Sequence, residues 1–136
     1  MIRFVKLRLF IVVCGYDNFN YMMKPEDISY FESGKIENIK FWKRLGAKPN
    51  FKNKKVLDFG CGHGSLALEI ANLGAQKVIG IDLNIDLINF AKNNLNQNFP
   101  NLKDRVEFEM IDLLKTDKFQ DIDYIVTKDT FEHTLN

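Results

Sequence analysis

The stretch VLDFGCGHGSLALEIANLGA, Val56 to Ala75, places glycines at 60, 62 and 64 directly after an apolar run and directly before a helical period. Glycine accepts a positive φ and lets a ligand approach the backbone where a side chain would obstruct it. In parallel α/β sheets, ligands sit outside the carboxyl ends of the strands, where the first strand turns into its helix. The same stretch sets an acid, Asp58, just upstream of the bend. A carboxylate beside a pyrophosphate would be repelled by several kcal/mol in a partly desolvated site. A cationic ligand reverses that sign.

Outward from the bend, short apolar runs alternate with helical periods. KVLDFG from Lys55 is a strand candidate, and Ser65 to Leu73 reads as a helix closed by Gly74. KVIGID from Lys77 is a second strand, and Asn84 caps a helix whose Ile88, Ala91 and Leu95 share one face. Pro100 lies past the end of that helix, RVEFEMID is a third strand and IDYIVTKD a fourth. This alternation predicts right-handed crossovers and a doubly wound, Rossmann-like parallel α/β sheet covered on both faces. Upstream, Asn20 to Ala47 has a helical pattern with Pro25 in its first turn, and Gly34 is expected to split it into two short helices. The chain therefore divides into an N-terminal helical or irregular extension, residues 1–50, and the α/β unit, residues 51–136.

The bulk numbers exclude several classes. With 46% hydrophobic and 27% charged residues the chain is globular, and a formal charge of +1 gives no strong field for nucleic acid or membrane. Locally, Lys40, Lys43, Arg44, Lys48, Lys52, Lys54 and Lys55 fall in a stretch without an acid between Glu37 and Asp58, read as a solvated basic face with an anionic partner as the rival. Cys14 and Cys61 suggest neither a disulfide framework nor a zinc cluster, so a reducing cytoplasm is the expected location. The apolar run Leu9 to Val13 is far shorter than the roughly 20 residues of a membrane span, and it reads as a buried strand or amphipathic helix, with a peripheral membrane contact as the rival.

Asp82 ends the second strand, 22 residues after Gly60, where a carboxylate accepts hydrogen bonds from ribose hydroxyls. The nicotinamide fingerprint G-x-G-x-x-G fits poorly, because Ser65 holds its sixth position. S-adenosyl-L-methionine has a ribose, no phosphate, a sulfonium and an α-ammonium, and so suits both Asp58 and Asp82. VLDFGCGHG followed by VIGIDLN resembles the first two motifs of the class I S-adenosylmethionine-dependent methyltransferases. The resemblance continues through Asp112 in EMIDLL to IDYIVTKDTFEH, covering about Lys55 to His133. It implies that Asp58 and the loop Gly60, Cys61, Gly62 and Gly64 hold the methionine end, Asp82 the ribose, Leu83 the adenine face and Asp112 the adenine edge. Blander readings stand beside these: Asp58 capping backbone amides, Asp112 capping a helix, Cys61 filling a tight turn, and His63 as a solvated or hydrogen-bonding side chain.

The end of the chain, KDTFEHTLN, holds Asp129, Glu132 and His133. One reading makes His133, with Glu132, a general base toward the methyl acceptor. A second makes Asp129, Glu132 and His133 ligands of a divalent metal, as in the similar stretch of ubiquinone-pathway O-methyltransferases and small-RNA 2′-O-methyltransferases. A third makes them a capping pair beside the site. The family core has seven strands and this chain carries four, so the fold is expected to be incomplete at its C-terminus, with weak or no turnover alone. The fourth strand is then an apolar edge that a missing segment or a partner covers. The functional expectation is a methyltransferase, or its cofactor-binding half, acting on oxygen or nitrogen of a small molecule, lipid or glycan. The rivals are a nucleic-acid methyltransferase, a noncatalytic scaffold of the same fold and, last, a nicotinamide oxidoreductase.

Overall fold

The computed structural model describes residues 22–128. Helix α1 runs Pro25–Leu45, strand β1 Lys55–Phe59, helix α2 Ser65–Asn72, strand β2 Lys77–Asp82, helix α3 Ile85–Asn98, strand β3 Val106–Met110 and strand β4 Tyr124–Val126. Short 3₁₀ turns occupy Pro100–Leu102 and Leu113–Lys115. The four strands form one sheet in the order β3-β2-β1-β4, and every pairing is parallel. The order reverses between β1 and β4, which is the switch point of a doubly wound sheet.

Register explains where the core lies. Val56, Val78 and Val106 are lateral partners, as are Asp58, Gly80 and Phe108. Alternation along the strands puts both rows on one face. Val56, Val78, Val106 and Phe108 join Phe31 and Trp42 of α1, Ile70 of α2 and Ile88 and Phe90 of α3 in a single apolar cluster. The three described helices therefore pack on that face. The expected cover on both faces is not met by them, because the β3 to β4 crossover, residues 111–123, forms only a 3₁₀ turn. The opposite face carries Ile79, and a groove of about 470 Å³ opens there between Lys55, Lys77, Glu107, Phe119 and Ile122. This groove lies away from the glycine bend. β4 is an outer strand among the described residues, with Ile125 63% exposed.

Helix α1 corrects the expectation at Gly34. It is continuous from Pro25 to Leu45, with Glu26 and Asp27 in its first turn, Lys43 and Arg44 in its last, and Gly46 at φ 82° closing it. Charges so placed complement the helix dipole. Gly34 does not break the helix; it lets α1 cross α2, since a Cβ there would lie 2.6 Å from Ser65 Oγ. Its local cost of about 1 kcal/mol is offset by the close approach. Gly34→Val is expected to lower unfolding stability by about 1–3 kcal/mol through overpacking, read from denaturant midpoints.

Candidate functional site

The glycine bend sits at the carboxyl ends of β1 and β2. Gly60, Gly62 and Gly64 have φ of 72°, 53° and 85°. Gly60 and Cys61 both donate from their amides to the Ile81 carbonyl at 2.9 Å, tying the bend to β2. Gly64 has a second requirement: a Cβ there would meet Phe108 Cζ at 2.6 Å. The bend is thus shaped both by its own torsions and by an aromatic ring from β3.

Asp82 ties the two strand ends together. Its Oδ2 accepts from the Gly62 amide at 2.9 Å and its Oδ1 from the Asn84 amide at 2.9 Å. Each carboxylate oxygen keeps a lone pair for a further donor. Asn84 caps α3 as expected, its side chain accepting from the Asp86 and Leu87 amides.

Asp58 is the outlier of the site. It is 1% exposed, and its Oδ2 has no hydrogen-bond partner. Burial pushes its carboxyl up from 3.8 to about 7; the Lys128 ammonium and the Ala67 amide pull it down, and Asp82 pushes it further up. A buried carboxylate with an unsatisfied oxygen costs free energy unless a cation or donor reaches it.

The remaining predicted residues fall around this centre. Leu83 is 68% exposed at the end of β2. Asp112 follows β3 and caps the 3₁₀ turn, its Oδ1 accepting from the Leu114 amide at 3.0 Å while Lys115 pairs with Oδ2. The capping role is therefore real, and the other lone pairs stay available. Cys61 is buried at the bend, and burial pushes its thiol well up, so it is no thiolate nucleophile. Asp129, Glu132 and His133 lie outside the described residues, as does Cys14. Among the described residues no cluster of three His, Cys, Asp or Glu side chains could hold a metal.

Sequence reasoning missed what α1 does here. His63, 9% exposed, is not solvated: its Nε2 lies 3.0 Å from Asp27 Oδ1, and its ring meets Tyr30 at 4.7 Å and Phe90 at 5.0 Å. Lys128, just past β4, donates to Asn38 Oδ1 at 2.7 Å. Trp42 Nε1 and Lys48 Nζ both donate to Glu69 Oε1 at 2.9 Å. Such partners are 21 to 90 residues apart in the chain, and no local pattern signals them. The basic stretch is also less bare than it reads: Lys40 pairs with Glu37, Lys48 with Glu69 and Lys54 with Asp123.

A parallel sheet with a bare-backbone bend after β1, an acid buried behind it and a second acid ending β2 defines a doubly wound α/β domain with these residues at the strand ends where such sheets bind ligands. A family model for a methyltransferase domain matches residues 50–136, well over half of the chain. The chain belongs to this family, the class I S-adenosylmethionine-dependent methyltransferases. The ribosomal protein L11 methyltransferase of Shewanella woodyi is 51% identical over 49 residues, 36% of this chain and 17% of that protein. The Trypanosoma brucei PRMT1 enzyme-prozyme complex with AdoHcy matches with 31% identity and a TM-score of 0.52, over 57% of this chain and 24% of that one. Magnesium protoporphyrin IX methyltransferase from Synechocystis, with bound SAH, shares the fold at 20% identity and a TM-score of 0.57, over 95% of this chain and 59% of that one. The matched part spans only 17% to 24% of the length of the curated relatives.

Proposed function

We propose that this chain is the cofactor-binding part of an S-adenosyl-L-methionine-dependent methyltransferase. The observation that carries the reading is the buried Asp58 with its unpartnered Oδ2 beside bare glycine backbone. In this reading Asp58 and the backbone of Gly60, Cys61, Gly62 and Gly64 hold the methionine end. Asp82 takes the ribose hydroxyls, Leu83 packs on the adenine and Asp112 accepts from its amine. AdoHcy and SAH, named with two of the structural relatives, support the choice of cofactor. When bound, the cofactor supplies an electrophilic methyl group on a sulfonium. The chain's own work is positioning: it fixes the nucleoside and presents the methionine end to an acceptor. His133, aided by Glu132, is our general base for the acceptor proton. Metal binding by Asp129, Glu132 and His133 is the lesser reading.

The acceptor is proposed as an oxygen or nitrogen of a small molecule, lipid or glycan, in the cytoplasm. No helix among the described residues is long and apolar enough to cross a membrane. A protein side chain is the second reading, favoured by the kinship with ribosomal protein L11 methyltransferases. Transfer of labelled methyl to ribosomal protein, but not to a protein-free extract, would decide for it.

Titration calorimetry with S-adenosylhomocysteine and with NAD tests the cofactor. Binding of the first alone is expected, and binding of NAD alone would overturn the reading. Asp82→Ala should weaken S-adenosylhomocysteine by about 1.5–3 kcal/mol, the worth of hydrogen bonds to a charged group. Unchanged affinity would remove Asp82 from the ribose.

A further inference from the structure

Three of the five residues of the bend, Gly60 to Gly64, carry no side chain, so the loop has few means of holding its own shape. On the β2 side its backbone is fixed: the Gly60 and Cys61 amides reach the Ile81 carbonyl, and the Gly62 amide reaches Asp82 Oδ2. The Cys61 side chain faces the same way, since a Cβ added at Gly80 of β2 would lie 3.0 Å from Cys61 Cβ. His63 goes to the helices instead. Its Nε2 lies 3.0 Å from Oδ1 of Asp27, in the first turn of α1. An ionised carboxylate only accepts, so Nε2 donates. Tyr30, three residues on and so on the same helix face as Asp27, lies against the imidazole at 4.7 Å between ring centres. Phe90 of α3 meets the ring edge-on at 5.0 Å. Next to His63 the bend is open: a Cβ added at Gly62 would meet nothing within 4 Å.

We propose that Asp27 and Tyr30 of α1 are positioning residues for the glycine bend, acting through the hydrogen bond and ring contact that they make with His63. Neither needs to touch the ligand; they act by holding the loop that does. For its ligand the inference rests on the cofactor reading given above. Glycine has more backbone freedom to lose than any other residue, and freedom lost on binding is subtracted from affinity. A strut that is in place before the ligand arrives removes part of that cost. Helix α1 is a firm support for such a strut, because Phe31 and Trp42 fix it in the core independently of the bend. The support lies before residue 50, where the family match begins.

The test uses the full chain at one fixed pH and two readouts: amide hydrogen exchange of residues 60–64 without ligand, and S-adenosylhomocysteine affinity by calorimetry. Asp27→Ala should speed exchange in the bend by about five- to tenfold while β1 and β2 keep their native rates. It should weaken S-adenosylhomocysteine by a similar factor. His63→Phe keeps a ring between Tyr30 and Phe90 but cannot donate, and should do the same. The double variant should lose no more than either single one, as expected for two ends of one bond. Asp27→Asn keeps an acceptor without the charge and should restore most of both readouts. Native exchange and native affinity in Asp27→Ala would overturn the role. So would faster exchange spread evenly over β1 and β2, which marks a merely structural loss. A deficit in Asp27→Asn equal to that in Asp27→Ala would assign the effect to the charge at the helix N-terminus and overturn it equally. A native chain that binds no S-adenosylhomocysteine, but whose bend loosens in Asp27→Ala, would sink the cofactor reading and leave the strut standing.

Discussion

Asp58→Asn should make the ligand-free protein more stable at pH 8 while nearly abolishing S-adenosylhomocysteine binding. In the folded chain the carboxyl holds its proton up to about pH 7, against an ordinary 3.8. A group whose folded pKa is raised contributes stability that is fully present below 3.8 and is lost as the pH rises through 7. At pH 8 the buried charge therefore costs the native state up to about 4 kcal/mol, which the neutral amide removes. The same substitution takes away the partner of the ligand's ammonium, a loss of about 2–5 kcal/mol in binding. Chemical denaturation at pH 5 and pH 8 measures the first effect, and the native protein should itself weaken across that interval. Calorimetry measures the second, and at pH 6 binding should release a proton as Asp58 ionises. A variant that binds as tightly as the native chain would show that Asp58 only caps backbone.

Gly64→Ala carries the other large effect. The φ of 85° already disfavours any side chain, and the added methyl would lie 2.6 Å from Cζ and 2.8 Å from Cε1 of Phe108. Phe108 is 3% exposed and sits against Gly80 as well, so the ring has little room to retreat. Strain at the torsion and overpacking of the ring together should cost about 2–5 kcal/mol in unfolding free energy. Gly62→Ala is the control. It shares a positive φ of 53° but has nothing within 4 Å of an added Cβ, so it should cost clearly less. Equal losses for the two variants would mean that torsion alone governs the bend and that Phe108 does not shape it.

The sheet was legible in the sequence because its signals are local. β1 and β2 are apolar runs bounded by lysine on one side and by glycine or an acid on the other, and both begin and end within a residue of expectation. β3 and β4 are shorter than their apolar runs suggest, since Ile111 and Ile122 lie outside the strands. The place of Asp58 was legible, because an acid at the end of the first apolar run must lie beside the glycine bend that follows it. Its unpartnered oxygen was not, because that depends on what every neighbour fails to donate. Gly34 was misread for a related reason. Helix propensity is a property of one residue and its turn, whereas the contact with Ser65 belongs to two helices 31 positions apart. His63 and Lys128 hide in the same way, their meaning set by Asp27 and Asn38 on a helix whose own pattern shows only amphipathy.

The aromatic seam under α1 bears on how this protein can be dissected. Phe31 stacks near Phe90 and Phe99, and Trp42 leads through Phe51 to Tyr124, so rings from α1 interleave with rings of the segment recognised by the family model. A gene cut at that family's boundary would strip Phe31 and Trp42 from Phe90, Phe99 and Phe51 and leave oily sockets facing water. Expression trials that begin at residue 50 should therefore yield inclusion bodies, where those beginning before Pro25 give dispersed material.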